Sequence, residues 1–335
     1  MRKTNLLILF TLFCLVMAGA FSVYAFSKKP VAKPYCETKY PIMLVHGFCG
    51  FDDFFGLIDY FYKVPDKLKK DGAKVRAALL SAVGDNTVRG EQLLKQIQAY
   101  LAETGAKKVN IIAHSHGCTT SRYVIYHRPD LVASFTSIAG PHKGSPVADF
   151  ALDKVPGSVL GIADTLLNFL GDAIAFIAGG KVSVDELDQS TTALLYHFSQ
   201  AGIEEFNNNT VSGCPSTGVP TSNCGEGAYL ENVKNSGNIV RYYSWTGSSQ
   251  MTNVIDVLDY LWPILHAVNK YYGKDGNDDG FVQVCSAHFG EVLKDNYKWN
   301  HADEVNHLFG IRGLFTEDPV SVYHSHVNRL QKDGY

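Results

Sequence analysis

Short apolar runs of strand length recur along the chain, separated by segments with helical spacing. Residues 40–48 read Tyr-Pro-Ile-Met-Leu-Val-His-Gly-Phe, a buried-strand pattern that ends in His46-Gly47. Lys74 to Leu80, Val109 to Ile112, Ser134 to Ile138 and Ile239 to Trp245 also read as strands. Gly90 to Glu103 instead places Leu93, Leu94, Ile97 and Leu101 on one helical face, and Cys118 to His127 can follow the Val109 strand as a helix. Strands and helices alternate from Pro41 to Ile138, which predicts an α/β architecture with a mostly parallel central sheet covered by helices on both faces.

Two further segments have a different character. Val159 to Ile177 carries nine large apolar residues, with Asp164, Asn168 and Asp172 spaced four apart on the opposite face and glycines at both ends. Its apolar stripe is wider than one sheet contact needs, so we read residues 151–180 as a helical lid with an oily underside; a core-facing helix is the alternative. At the N-terminus, Arg2-Lys3 precedes an apolar run from Leu6 to Met17 and small residues near Ala20 and Ala25. That order predicts a signal peptide over 1–25, export, and a catalytic domain over 26–335. A retained anchor is the competing reading.

Composition narrows the class. The 335 residues are 46% hydrophobic, enough for one large domain, and contain no repeat. The net charge of -3, more negative still once Arg2 and Lys3 are removed, gives no nucleic-acid surface. Outside the leader stand Cys36, Cys49, Cys118, Cys214, Cys224 and Cys285. Spacing alone does not choose among their pairings, and no cysteine–histidine cluster suggests zinc. An exported chain is expected to hold at least one disulfide.

The chemistry is concentrated at Ala113-His114-Ser115-His116-Gly117. A serine at the tip of a sharp strand-to-helix turn is the setting of a nucleophile elbow, and the small residues at 113 and 117 let strand and helix approach. In that plan the oxyanion donors are the backbone N–H groups of Phe48, after the first strand, and His116, after the nucleophile. An acid and a base should follow Ser115 in the chain. Nine histidines beyond the elbow pentapeptide leave the choice open by position, although His301 sits in a polar loop near the expected last strand.

Many linked segments in one order resemble the secreted true lipases of Gram-negative bacteria, the Pseudomonas and Burkholderia type. They include Tyr40-Pro41-Ile42 with His46-Gly47, Val88 to Leu94, Lys108-Val109-Asn110 leading into His114 to Gly117, and Arg128 to Leu131. Pro141 to Ser145, Cys224 to Tyr229, Asp279 to Val282 and the His301 loop continue the likeness to about Leu330. The resemblance implies an α/β-hydrolase fold and a triacylglycerol lipase; a carboxylesterase or phospholipase with the same triad is the alternative.

By match, the triad is Ser115, Asp279 and His301, with Asp278 standing where the family has Asn. Ala113 and Cys118 replace glycines around the elbow. The resemblance also implies one calcium ion held by Asp256, Asp303 and the carbonyls of His307 and Ile311, a Cys224–Cys285 disulfide, and a lipase-specific foldase met during export.

Overall fold

In a computed structural model, the described residues are 33–48, 60–81, 84–153, 194–208, 213–273, 276–307 and 309–335. The signal segment 1–25, the Val159–Ile177 stretch and Cys49 lie outside them. Seven strands form one sheet: β1 (Ile42–Val45), β2 (Val75–Ala77), β3 (Val109–His114), β4 (Val132–Ile138), β5 (Leu230–Asn232), β6 (Ile239–Gly247) and β7 (Glu291–Tyr297). Their order is β2-β1-β3-β4-β6, all parallel. The far edge of β6 is shared by antiparallel β5 along its first half and parallel β7 along its second.

Eight helices complete the described elements apart from short 3-10 turns: α1 (Val64–Lys70), α2 (Asn86–Thr104), α3 (His116–His127), α4 (Pro146–Leu152), α5 (Gln200–Asn207), α6 (Trp262–Tyr272), α7 (Val284–Ala287) and α8 (Pro319–Lys332). Helix α2 starts four residues before the apolar face suggests, because Asp85 caps it: the carboxylate accepts from Val88 N–H at 2.7 Å. Strand β2 is shorter than the run Lys74–Leu80. Beyond it the chain is held by side chains; Gln96 accepts from Leu79 N–H at 2.9 Å and Gln92 from Ser81 N–H at 2.8 Å.

The period-two alternation of buried strands sorts the core into two layers. Met43, Val45, Ile111 and Phe135 face α2 and α3, meeting Leu93, Ile97, Val124 and Ile125. Ile42, Leu44, Ile112, Ile138 and Trp245 point the other way, onto Val64 and Leu68 of α1 and Tyr323 and Val327 of α8. A third cluster joins α4 and α6 and reaches Phe48, Phe281 and Ala302. It underlies the C-terminal edge of the sheet, where the candidate site lies.

Beneath α8 one polar group is fully enclosed. His326 packs edge-on against Tyr243 and Trp245, its Nε2 is 2.7 Å from Thr136 Oγ1, and its Nδ1 is 3.2 Å from Arg329 Nη1. Burial, then the charges of Arg329 and Arg241, lower its pKa to about 3. Because the unfolded chain takes the proton near pH 6.5 and the folded one does not, stability falls as pH drops from that value toward 3. At pH 5 this single group is expected to cost about 2 kcal/mol. Urea midpoints at pH 7 and pH 5 check it: His326→Gln should lose stability at pH 7 yet show a shallower decline with acid than the parent.

Candidate active site

Ser115 ends β3 and opens α3 with φ 54° and ψ -126°, a left-handed backbone that a serine adopts only under constraint. The constraint comes from both neighbouring strands. Ser115 N–H donates to Ile138 O of β4 at 2.9 Å. On the other side Gly117 lies so close to β1 that a Cβ there would sit 2.4 Å from Val45 O and 2.7 Å from His46 O. Only glycine fits this crossing of helix and strand. The remaining small position, Ala113, is fully buried.

Three chain segments converge on the serine hydroxyl. His301 Nε2 is 2.9 Å from Ser115 Oγ, and His301 Nδ1 is 2.7 Å from Asp279 Oδ2. Asp279 is completely buried, and its other oxygen accepts from Phe281 N–H at 2.9 Å and Val282 N–H at 2.7 Å. His301 N–H in turn donates to Asp279 O at 2.9 Å, so the acid and the imidazole loop are fastened twice. The neighbouring Asp278 turns away: its carboxylate meets His266 Nδ1 at 2.8 Å and Gly280 N–H at 2.8 Å. The serine, imidazole and carboxylate singled out from the sequence thus form one hydrogen-bonded chain.

The two expected oxyanion donors flank the serine. His116 is the first residue of α3, where backbone N–H groups lack helical acceptors. Phe48 follows Gly47, which packs against Ser115: a Cβ on Gly47 would lie 2.8 Å from the Ser115 Cβ. Arg89 of α2, fully buried, holds this loop from below. Its guanidinium donates to His46 O at 2.7 Å, to Gly47 O at 3.4 Å, to Thr120 Oγ1 at 3.1 Å and to Ser81 O. The Gly47 carbonyl belongs to the peptide that carries the Phe48 N–H, so Arg89 fixes the direction of that donor. Nothing in the order of apolar and polar residues marks this role.

Behind His301 lies a second polar layer. His114, on β3, faces Tyr60 through Nδ1 at 2.7 Å and Glu304 through Nε2 at 3.2 Å, and its ring is 4.6 Å from that of His301. Glu304 is buried completely and accepts from Gly247 N–H and, at 3.2 Å, from Thr246 Oγ1. Burial, and after it the charge of Asp279, push the Glu304 carboxyl well above its ordinary range. Ligand atoms of His114, His301 and Glu304 lie within 4.8 Å of one another, a donor set that fits a metal ion. An ion there would compete for an imidazole whose two nitrogens already face Ser115 and Asp279.

A third acidic group lies under the His301 loop. Asp256, Asp259 and Asp303 are all buried. Asp259 was not anticipated from the sequence, yet it is the best satisfied: Thr252 and Asn253 N–H each donate to Oδ2 at 2.5 Å, and Asn300 Nδ2 donates to Oδ1 at 2.6 Å. Asp303 Oδ2 accepts from Thr252 Oγ1 at 2.7 Å and Asn300 N–H at 3.2 Å, whereas its Oδ1 is buried without a hydrogen-bond partner. Burial, with smaller contributions from the Asp259 and Asp256 charges, raises the Asp303 carboxyl to about 7. His307 is a neighbour in the same loop, its imidazole lowered to about 4 by burial.

Cys224 and Cys285 are joined as a disulfide, tying the segment before β5 to α7, while Cys36, Cys118 and Cys214 are buried free thiols. Among the described residues no helix is long and apolar enough to cross a membrane.

Comparison with known proteins agrees with this architecture. A family model described as the alpha/beta hydrolase fold matches residues 40–179. The chain is 44% identical over 336 residues to a triacylglycerol lipase of Vibrio cholerae, covering 100% of both chains. It is 37% identical to a triacylglycerol lipase of Burkholderia plantarii, across 95% of this chain and 93% of the relative. The mature form of the Bacillus licheniformis lipase BlEst2 superimposes with a TM-score of 0.55 over 91% of this chain and 95% of that one, and at 17% identity this likeness speaks to the fold. The chain therefore belongs to the bacterial triacylglycerol lipases of the Pseudomonas and Burkholderia type, within the α/β hydrolases.

Proposed function

We propose that the protein is an exported triacylglycerol lipase whose nucleophile is Ser115, base His301 and acid Asp279. The observation that carries this reading is the unbroken hydrogen-bonded chain from Ser115 through His301 to Asp279, on a turn strained in the manner of a nucleophile elbow. In the acylation step His301 Nε2 takes the Ser115 proton as Oγ attacks the ester carbonyl. Asp279 holds the imidazole with Nδ1–H toward it and stabilises the positive charge that forms. The Phe48 and His116 N–H groups receive the oxyanion, and His301 then gives its proton to the departing alcohol. Water repeats the sequence on the acyl-enzyme and releases the fatty acid.

The family resemblance extends the proposal to cleavage of residues 1–25, passage through the periplasm, and assistance by a membrane-anchored foldase. The Val159–Ile177 pattern extends it to a lid that opens at the lipid–water interface. Fatty-acid release from an emulsified long-chain triacylglycerol tests the central reading: Ser115→Ala should lower it by at least a thousandfold. Hydrolysis confined to a dissolved short-chain ester would move the assignment to a carboxylesterase.

Arg89 enters as a positioning residue of the oxyanion hole. Arg89→Met is expected to lower kcat by roughly ten- to a hundredfold with KM little changed, because the misdirected donor is needed most at the transition state. Kinetics on a dissolved ester give that split, and circular dichroism checks that the variant is folded.

We assign the calcium implied by the family to Asp256 and Asp303, with the carbonyls of His307 and Ile311. A buried carboxylate oxygen without a donor, beside two other buried acids, is the kind of hard-oxygen set that a divalent cation neutralises. Calcium bound there would supply positive charge and brace the His301 loop. Chelator is expected to lower the melting temperature by roughly 5 °C or more, as for loss of a ligand present at about a hundred times its dissociation constant. Asp303→Asn should make the melting temperature insensitive to calcium.

A further inference from the structure

Two surface loops beside the site are built inside out. In residues 251–260 the acids point inward, with Asp256 and Asp259 buried, while Met251, Val254, Ile255 and Tyr260 face solvent, Ile255 with 76% exposure. The segment 309–316, which holds no acid, also exposes apolar side chains: Phe309 is exposed, Leu314 is 83% exposed and Phe315 entirely so. Each such side chain left in water forgoes the favourable transfer out of water that burial would bring. Phe309 and Phe315 also hold φ of 52° and 62°, a backbone region unfavourable for bulky side chains.

These loops are fastened to each other and to the catalytic histidine loop. Asn253 Nδ2 donates to Arg312 O at 2.8 Å, and a Cβ on Gly313 would lie 3.2 Å from Thr252 O. Thr252 Oγ1 donates to Asp303 Oδ2 at 2.7 Å, and Asn300, adjacent to His301, donates to Asp259 Oδ1 at 2.6 Å. Tyr260 OH donates to Val254 O at 2.9 Å. Arg312, the only basic residue in the two segments, is paired with Asp318 at 3.4 Å.

We propose that residues 251–255 and 309–315 form a docking surface for an uncharged lipid–water interface, an apolar lip held at the side of the His301 loop. A braced, apolar surface with the acids of 251–260 turned inward and Arg312 paired complements a neutral lipid layer better than anionic headgroups, which select clusters of unpaired basic side chains; Lys63, over the Tyr62 ring that meets Phe309, is one base beside it and not a cluster. The lip is continuous, through Asn300 and Asp303, with the loop that presents His301 to substrate. The choice of lipid as occupant rests on the ester-hydrolase reading above.

Flotation with triolein droplets coated in phosphatidylcholine reads the surface directly, as protein in the floated fraction. Leu314→Ser/Phe315→Ser is expected to lower partition at least tenfold while turnover of a dissolved short-chain ester stays within twofold of the parent. Phe315→Trp, which keeps the apolar bulk, should retain partition and move tryptophan emission to shorter wavelength on droplets. Unchanged partition in the double variant, or unchanged emission in the tryptophan variant, overturns the proposal. So does dimerisation of the parent that the double variant abolishes with droplet binding intact, which would assign the face to a second copy of the chain. Partition is measured in a Ser115→Ala background so that the droplets are not hydrolysed, and an inactive parent would count against the ester-hydrolase reading and leave this readout standing.

Discussion

Holding Ser115 at positive φ costs roughly 1–3 kcal/mol, and the turn persists because the structure around it leaves no relaxed alternative. Its N–H is taken by Ile138 of β4, and the next turn of chain is pressed at Gly117 against the carbonyls that end β1. Both strands are buried on two faces, so the serine cannot relax without moving the centre of the sheet. The parallel order β1-β3-β4 places the elbow between two rigid neighbours. It also brings the loop after β1, with the Phe48 N–H, to the side where the serine emerges.

That position imposes a second condition, because the groups that must surround Ser115 are polar and the surroundings are dry. Asp279 is met by two backbone N–H groups and an imidazole, which is why it tolerates complete burial. Glu304, desolvated by burial and with the Asp279 charge nearby, is driven toward its neutral form instead. Asp259 is satisfied by donors from three residues, whereas Asp303 retains a bare oxygen. Buried acids at one edge of the sheet are thus handled by different means, and Asp303 keeps an oxygen that no hydrogen-bond donor meets.

The parts of this arrangement that were legible in the sequence are those written in adjacent residues. The runs 42–45 and 109–114 are strands because runs that are apolar throughout, or broken only by Asn110 and His114, suit a sheet buried on both faces, and Ala113 and Gly117 report the tight turn by their size. Asp279 and His301 required the family pattern, since nine histidines lie beyond the elbow pentapeptide and nothing local ranks them. The support from Arg89 to His46 spans 43 positions and that from Asn300 to Asp259 spans 41. Such pairings depend on strand order, which periodicity does not encode. Strand β7 escaped notice because it is an edge strand of mixed composition, Glu-Val-Leu-Lys-Asp-Asn-Tyr, with only partial burial along most of its length.

The inverted loops join the electrostatic and the apolar sides of the molecule. A short loop cannot direct every side chain inward, and among the described side chains of 251–260 the buried ones are Asp256 and Asp259. Val254 and Ile255 are then left to solvent, unlike the ordinary arrangement in which acids would be hydrated and apolar groups covered. Burying acids is favourable only where donors or a cation meet them, and exposing apolar groups only where a surface covers them. The same backbone therefore links two conditions that no isolated loop needs. Asn253, bonded to Arg312, and Thr252, bonded to Asp303, transmit any change in one to the other. Charge neutralised beneath the loop would hold the apolar lip in register with His301, so that bracing of the catalytic histidine and contact with an oily phase become one structural property.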